Sequence, residues 1–374
     1  MSHRERLLKT FLDLAVLPSP SFAERPVAEY VRAALTAAGV DVREDEAGRK
    51  IGGNSGNLIA VIPGRGEPLL LAAHLDTVPL AGTVRPVVDG DVVRSSGDTI
   101  LGADDKSAVA VLIELARLLR ETGASHRPLE LVFTVAEEAE LLGAKSLDCS
   151  ALTARSGYAL DGAEPGQVVR AAPSKISFDI TIRGRGGHAT KPADTINPIR
   201  VAAEAIVHMP QGQIDAETTG NVGVVNAGSA VNVVPEAAHL LVEIRSHNEG
   251  KLAFFADQVT LAVEQASAAA RLLTEEGVVC ARSEIRRARC YDAFRVDESD
   301  PLVRQAMAAI REAGLEPKVV VGAGGLDANV FNARGIRCVG LGTGAHRPHT
   351  TREYLSIPEM LKSLEVLLHL VRAP

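Results

Sequence analysis

Tryptophan is absent from the 374-residue chain, and aromatic residues make up only 3% of it. Binding that depends on stacking aromatic rings against bases or sugars is therefore not expected. Cysteine is scarce and widely spaced, without a C-x-x-C pair, so we expect free thiols in a reducing cytoplasm and no thiolate metal site. The four cysteines are Cys149, Cys280, Cys290 and Cys338.

Long apolar runs and an excess of positive charge are also missing. No uninterrupted apolar run approaches the ~20 residues that span a bilayer. The N-terminal segment MSHRERLLKTFLDL lacks the apolar core and cleavage site of a signal peptide. The net charge of −7 argues against nucleic acids and anionic membranes as partners. We therefore expect a cytoplasmic protein that binds neither.

The chain is long enough for two domains, and its pattern changes twice. Predicted strands and helices alternate in residues 1–173 and again in 290–374, which indicates an α/β domain. Its sheet is expected to be mixed and mainly parallel, with helices on both faces. Residues 174–289 follow the order β-α-β-β-α-β, typical of a ferredoxin-like α+β unit. We expect a discontinuous catalytic domain with this unit inserted as a lid.

Acidic residues and histidines follow the ends of several predicted strands, where the sites of open α/β sheets lie. They are His74, Asp76, Asp104, Glu137, Glu138 and Asp161.

Taken singly, these residues have ordinary interpretations. Asp104 and Asp105 could cap the helix predicted over 106–120. Glu137 and Glu138 could be solvated surface charge, and Asp161 could lie in a turn. Carboxylates this dense would instead repel one another unless divalent cations lie between them. Nitrogen and carboxylate ligands suit Zn²⁺, with Co²⁺ or Mn²⁺ as alternatives, and a shared carboxylate is typical of two-metal hydrolases.

Eight segments resemble, in order and spacing, the motifs of the M20 metallopeptidases. They are HLDTVP, GDTILGADDKSA, FTVAEEAELLGAKSLD, ALDG, GRGGHAT, NVVPE, EIRS and HTTREYLSI. The resemblance covers almost the whole chain, and GGLDANVFNARGI is similar to a motif of the peptidase T-like (tripeptidase) branch. It implies the zinc-peptidase fold with an inserted lid and dimerisation domain.

The resemblance implies two divalent metal ions. Asp104 would bridge them, and its peptide bond with Asp105 would be cis. From its position at the helix start, Asp105 itself is expected to cap the helix. Asp76 would orient the first histidine ligand. His349 is preferred to His346 because it directly precedes TTREY. The implied ligands are His74, Asp104 and Asp161 for the first ion, and Asp104, Glu138 and His349 for the second.

Further roles follow from the same resemblance. Glu137 matches a general base that takes a proton from a metal-bridging water and returns it to the leaving amine. His188 would donate to the oxyanion, in its own or the partner subunit, and Arg245 would clamp a substrate carboxylate. Asn232 would bind the substrate backbone. Without the family match, a turn histidine and a surface cation are the plainer interpretations of His188 and Arg245.

The implied activity is removal of the N-terminal residue from short peptides, with a homodimer formed through the lid. An N-acyl-amino-acid deacylase or carboxypeptidase-like amidohydrolase is the alternative. A non-catalytic peptide-binding protein is a further one, against which Glu137 argues. Ala108 and Leu326 stand where the branch usually has glycine or serine, and we expect Leu326 to line the substrate pocket.

Overall fold

The computed structural model describes residues 1–275 and 277–373. The chain divides into two compact units. The first is Met1–Ala172 together with the chain from Phe294 onward, and the second is Pro173–Ala293. None of the helices described combines the length with the apolar character of a bilayer span.

The helices belong to both units. They are α1 (His3–Ala15), α2 (Arg25–Ala37), α3 (Ala47–Ile51), α4 (Ala103–Thr122), α5 (Leu142–Ser146), α6 (Pro198–His208), α7 (Glu249–Ala269), α8 (Pro301–Glu312), α9 (Asp327–Ala333) and α10 (Ile357–Leu370).

The strands form one large sheet and several smaller ones. They are β1 (Val42–Glu44), β2 (Leu58–Ile62), β3 (Leu69–His74), β4 (Pro86–Asp89), β5 (Val92–Ser95), β6 (Leu129–Thr134), β7 (Ser156–Gly162), β8 (Gln167–Ala172), β9 (Ser174–Arg183), β10 (Gly187–His188), β11 (Gly212–Asp215), β12 (Thr218–Ala227), β13 (Val233–Val234), β14 (Ala237–Ser246), β15 (Arg271–Thr274), β16 (Gly277–Cys280), β17 (Arg282–Tyr291), β18 (Phe294–Arg295), β19 (Lys318–Val321), β20 (Arg337–Gly342), β21 (Ala345–His346) and β22 (Tyr354–Ser356).

Four adjacent strands at the centre of the first unit, β6, β3, β7 and β20, run parallel. The sheet continues outward with antiparallel pairs, in the order β1-β2-β6-β3-β7-β20-β8-β18, and β19 pairs with β8. Every residue of β3 and β6 is buried, because both faces of the sheet are covered. The predicted mixed α/β sheet is confirmed.

Helix α4 is the main packing partner of the parallel strands. It contacts β3 and β7, and α1 and α10 pack against it in turn. Its predicted apolar stripe, which includes Val109, Leu112 and Leu119, is buried. Asp104 and Asp105 have non-helical backbone angles. Regular helix therefore begins after the acid pair, as the sequence predicts.

The second unit has a five-stranded antiparallel sheet in the order β11-β12-β14-β9-β17. Residues of β9 alternate between buried and partly exposed, because one face packs on helices α6 and α7. Its buried residues include Ile176, Phe178 and Ile180. The elements β9, α6, β12, β14, α7 and β17 have the predicted β-α-β-β-α-β order.

Candidate metal centre

Parallel strands of the first unit bring the predicted ligands together at their carboxyl ends. His74 is the last residue of β3, Glu137 and Glu138 follow β6, and Asp161 is near the end of β7. Three sets of side chains each offer ligand atoms within 4.8 Å of one another: His74, Asp104 and Asp161; His74, Glu137 and Glu138; and Asp104, Glu138 and His349.

Asp104 belongs to two of these sets. Its Oδ1 lies 3.2 Å from Nε2 of His74, and its Oδ2 lies 3.4 Å from Nε2 of His349. The two carboxylate oxygens therefore face different histidines, which is the arrangement of a bridging ligand. The Asp104–Asp105 peptide bond is cis, as the resemblance implies.

The protonation of His74 is fixed by its surroundings. Its Nδ1 lies 2.9 Å from the backbone carbonyl oxygen of Asp76. A carbonyl oxygen only accepts hydrogen bonds, so Nδ1 carries the proton and donates it. In the neutral ring, Nε2 then carries the lone pair and is the nitrogen that can bind a metal ion, whereas in the protonated ring Nε2 donates to Asp104 Oδ1 at 3.2 Å. The partner that orients the ring is thus the main chain of Asp76, while the Asp76 carboxylate is farther away, at 3.5 Å.

The Asp76 carboxylate binds the segment after β6 instead. Its Oδ1 accepts the N–H of Glu137 at 2.9 Å, and its Oδ2 accepts the N–H of Glu138 at 3.1 Å. Ser21 Oγ donates to the same Oδ2 at 2.7 Å. Asp76 is fully buried, so these bonds are shielded from competing water.

His349 completes the other side of the site. Its Nε2 lies 2.7 Å from Oε1 of Glu138. His349 and Arg347 both have positive φ, which non-glycine residues adopt only where the surroundings hold them. His346, the other histidine of this segment, instead lies 2.5 Å from the Glu359 carboxylate. Of these two histidines, His349 is therefore the one whose ring lies beside Glu138 and Asp104.

Asp105 does not cap helix α4, and that prediction is wrong. The residue before α4 is Gly102, and the N–H of Asp104 in the first turn is bound by the Glu353 carboxylate at 3.0 Å. Asp105 Oδ2 accepts the backbone N–H of His74 at 3.1 Å. The cis turn directs this buried carboxylate toward the end of β3, so Asp105 fixes a predicted ligand instead of the helix.

Three further buried acids adjoin the site, and the sequence prediction missed them. Glu353 accepts the N–H groups of Leu101, Gly102 and Asp104 at 2.7, 2.8 and 3.0 Å. Glu24 accepts an N–H of the segment after β6, and Asp327 accepts from a threonine at the end of β6. Glu353 lies in the motif HTTREYLSI and Asp327 in GGLDANVFNARGI. Their position in these motifs is the only feature of the sequence that points to them.

The crowding of acids in this cluster changes the pKa values of its carboxyl groups and histidines. Burial raises the pKa of Glu137 and of Asp161 well above the usual carboxyl range, and neighbouring carboxylates raise both further. Hydrogen bonds to Asp104 and Glu138 raise the pKa of His349 to about 10. Burial alone would lower the pKa of His74, but Asp104 and Asp76 outweigh it and the pKa lies well above its usual value.

The carboxylates therefore favour positive charge at two places in this cluster, one at His74 and one at His349. Divalent cations would supply it and leave the carboxylates ionised. The donor atoms are imidazole nitrogen and carboxylate oxygen, which fit Zn²⁺, Co²⁺ or Mn²⁺. Asp104 is common to the sets that contain Asp161 and His349, so the donor set fits two ions with one shared ligand.

Predicted substrate-binding residues lie in the second unit. His188 and Asn232 are brought together by the pairing of β10 with β13, and the carbonyl oxygen of Asn232 accepts the N–H of Ala189 at 3.0 Å. Arg245 lies on β14 and donates to both oxygens of Glu243, at 2.9 and 3.2 Å.

Leu326, expected from the sequence to line the substrate pocket, belongs to the buried core of the first unit. Its side chain is buried, and a Cβ on Gly340 would lie 3.0 Å from its Cδ1. Ala108 is fully buried within α4. Ala108 and Leu326, which stand where the peptidase T-like branch usually has glycine or serine, therefore both contribute to the core of the first unit.

Known proteins share both the sequence and the fold. Residues 70–373 match the model of peptidase family M20/M25/M40. The Bacillus subtilis protein YqjE is 34% identical over 99% of each chain. A tripeptidase from Staphylococcus aureus is 32% identical, with a TM-score of 0.88 over 99% of this chain and 98% of that one.

A further solved structure, aminopeptidase PepT from Bacillus cereus, is 32% identical, with a TM-score of 0.82 over 98% of both chains. The family match covers most of the chain, including the first unit's ligand cluster and the whole second unit. The chain therefore belongs to peptidase family M20/M25/M40 and is a metallopeptidase.

Proposed function

We propose that the protein is a two-metal aminopeptidase that removes the N-terminal residue from short peptides, tripeptides above all. The observation that carries the proposal is the position of Asp104, whose two carboxylate oxygens face His74 and His349 with Glu137 and Glu138 beside them. Similarity to the Staphylococcus aureus tripeptidase supports the substrate class.

In this proposal His74 and Asp161 would hold one ion, Glu138 and His349 would hold the other, and Asp104 would be a ligand common to both. When bound, two divalent cations lower the pKa of a water molecule and polarise the scissile carbonyl.

Glu137 is proposed as the general base. Its carboxylate takes a proton from the attacking water and delivers it to the leaving amine. The residue is 7% exposed, so little bulk water competes for that proton. The Asp76 bond to its backbone N–H fixes the point from which its side chain extends.

His188 is proposed as a donor to the oxyanion. Its Nδ1 accepts the backbone N–H of Thr190 at 3.2 Å, and Thr190 Oγ lies 2.8 Å away. Since Nδ1 accepts, the neutral ring carries its proton on Nε2, which is the form that can donate to an oxyanion. Asn232 is proposed to bind the peptide backbone.

Arg245 is proposed to bind the substrate carboxylate. A guanidinium can bind a carboxylate through two parallel hydrogen bonds. Glu243 now accepts from this guanidinium, so a substrate carboxylate would compete with it.

Zn²⁺ is the proposed metal, and a homodimer in the cytoplasm is the proposed state. The nitrogen and oxygen donors support zinc. All four cysteines are free, which fits a reducing compartment. Apolar side chains exposed on the second unit, Val225, Val231 and Val233, support a subunit contact there.

A comparison of three substrates tests this function. The zinc-loaded enzyme is incubated with Ala-Ala-Ala, with N-acetyl-Ala-Ala-Ala and with N-acetylalanine. We expect alanine and Ala-Ala from the first and no release of the N-terminal residue from the blocked peptide. Turnover of N-acetylalanine alone would favour the deacylase alternative. Binding of Ala-Ala-Ala without turnover would favour a peptide-binding protein.

A further inference from the structure

Four successive backbone N–H groups after β6 donate to side chains from other parts of the chain. This segment, Val135 to Glu138, is called the base segment below. The acceptors are Asn57 Oδ1 for Val135 at 3.1 Å, Glu24 Oε1 for Ala136 at 3.0 Å, Asp76 Oδ1 for Glu137 at 2.9 Å and Asp76 Oδ2 for Glu138 at 3.1 Å.

Ala136 needs this support. Its φ is +49°, in the left-handed region that disfavours any residue with a Cβ. Such a conformation persists only where the surrounding structure over-determines it. It also sets the direction in which the chain enters Glu137, so the bond to the Ala136 N–H affects where the Glu137 carboxylate lies.

Glu24 supplies that bond from a fully buried position before helix α2. Its Oε1 also accepts the N–H of Phe22 at 2.8 Å, so one oxygen atom joins the two segments. Glu24 makes no side-chain cap of α2. Across residues 1–275 and 277–373, Oε2 has no hydrogen-bond partner. Oε1 is therefore the atom through which Glu24 acts.

We propose that Glu24 is a positioning residue of the peptidase reaction, which holds the left-handed Ala136 and thereby aims the Glu137 carboxylate. The inference rests on the proposed function, in which Glu137 is the general base. Glu24 itself touches neither substrate nor metal in this account. Its contribution is geometric, and small misplacements of a reacting group reduce kcat strongly.

Three variants of the full chain test the proposal. Glu24→Ala removes the acceptor, whereas Glu24→Gln keeps an amide oxygen in the position of Oε1. The matched control is Glu130→Ala. Glu130 is also a buried glutamate, lies on β6 and accepts backbone N–H groups, from Thr153 and Ala154, but at the opposite end of the strand.

We expect Glu24→Ala to lower kcat about 10–100-fold with KM changed less than about threefold. Glu24→Gln should keep kcat within about threefold, and Glu130→Ala should lower the Tm while keeping kcat. A second readout uses the metal-free protein. Hydrogen exchange of the base segment should be faster in Glu24→Ala than in Glu24→Gln, because only the alanine variant frees the Ala136 N–H.

A kcat loss smaller than about fivefold in Glu24→Ala would overturn the proposal, as would an equal loss in the glutamine variant. If the alanine variant does not fold, Glu24→Asp, which withdraws the acceptor by one methylene, takes its place under the same criterion. Full activity of Glu137→Gln would instead contradict the proposed function, whatever the Glu24 variants do.

Discussion

The Asp76 carboxylate accepts the backbone N–H of Glu137 at 2.9 Å, and its second oxygen accepts that of Glu138 at 3.1 Å. The main-chain oxygen of Asp76 meanwhile lies 2.9 Å from Nδ1 of His74. Asp76 thus fixes the backbone of Glu137, the proposed base, and of Glu138, a proposed ligand of one metal ion. It also fixes the tautomer of His74, a proposed ligand of the other ion. It aligns the two halves of the site by hydrogen bonds alone.

Asp76→Asn should therefore reduce activity without unfolding the protein. The asparagine side chain has one acceptor oxygen, so its NH₂ group would face a backbone N–H that now has an acceptor. We expect kcat or metal affinity to fall about 10–100-fold. Steady-state kinetics and metal titration of the purified variant measure this.

Ser21→Ala is the matched control for that variant. It removes only the hydroxyl that donates to Asp76 Oδ2, and it leaves both backbone bonds in place. Its loss should be smaller than that of Asp76→Asn. An equal loss in both variants would show that the backbone bonds are not what Asp76 contributes.

A single added methyl group should disturb the same region. A Cβ on Gly143 would lie 1.9 Å from the carbonyl oxygen of Val135 and 2.7 Å from Asn57 Oδ1. Gly143→Ala should lower the free energy of unfolding by ~1–3 kcal/mol, because the backbone around the new methyl group has to move. Gly97→Ala, where nothing lies within 4 Å of the added Cβ, is the control in urea denaturation. Equal stability of the two variants would contradict this packing.

Asp327 predicts a pH-dependent stability. Burial raises its pKa from 3.8 to about 6, and its Oδ2 accepts from Thr134 Oγ at 2.5 Å. A raised folded-state pKa gives stability that is fully present below about 3.8 and is lost as the pH rises through about 6.

Asp327→Asn cannot ionise and should escape that loss. In the metal-free protein the variant should gain stability relative to the wild type between pH 4.5 and 7.5, by up to ~2–3 kcal/mol. Urea denaturation at the two pH values measures the difference. If the variant and the wild type differed in free energy of unfolding by the same amount at both pH values, the burial of an ionisable Asp327 would be contradicted.

Much of the fold and of the candidate site is predictable from the sequence. Apolar runs that end in His74, before Glu137 and near Asp161 mark parallel strands, and the carboxyl ends of such strands meet at one edge of the sheet. That placement follows from strand periodicity and needs no knowledge of individual contacts. The ligand roles themselves stay predictions.

Contacts between distant segments were beyond the sequence pattern. Glu24 precedes a helix as many surface glutamates do, and only the folded chain brings it to Ala136. Asp105 was predicted to cap α4 because acids favour helix starts, yet the cis turn directs it to His74. The burial of Leu326 in the core likewise depends on a distant residue, because Gly340 has no Cβ to occupy the space beside its side chain.

The role of Glu137 as general base is tested by kcat of Glu137→Gln for Ala-Ala-Ala, measured together with the number of metal ions bound per chain. The variant keeps the size of the side chain and every proposed ligand, but an amide cannot accept the proton from water. We predict two bound ions and a kcat at least ~10²-fold below that of the wild type. Two bound ions with a kcat near that of the wild type would show that Glu137 is not the general base.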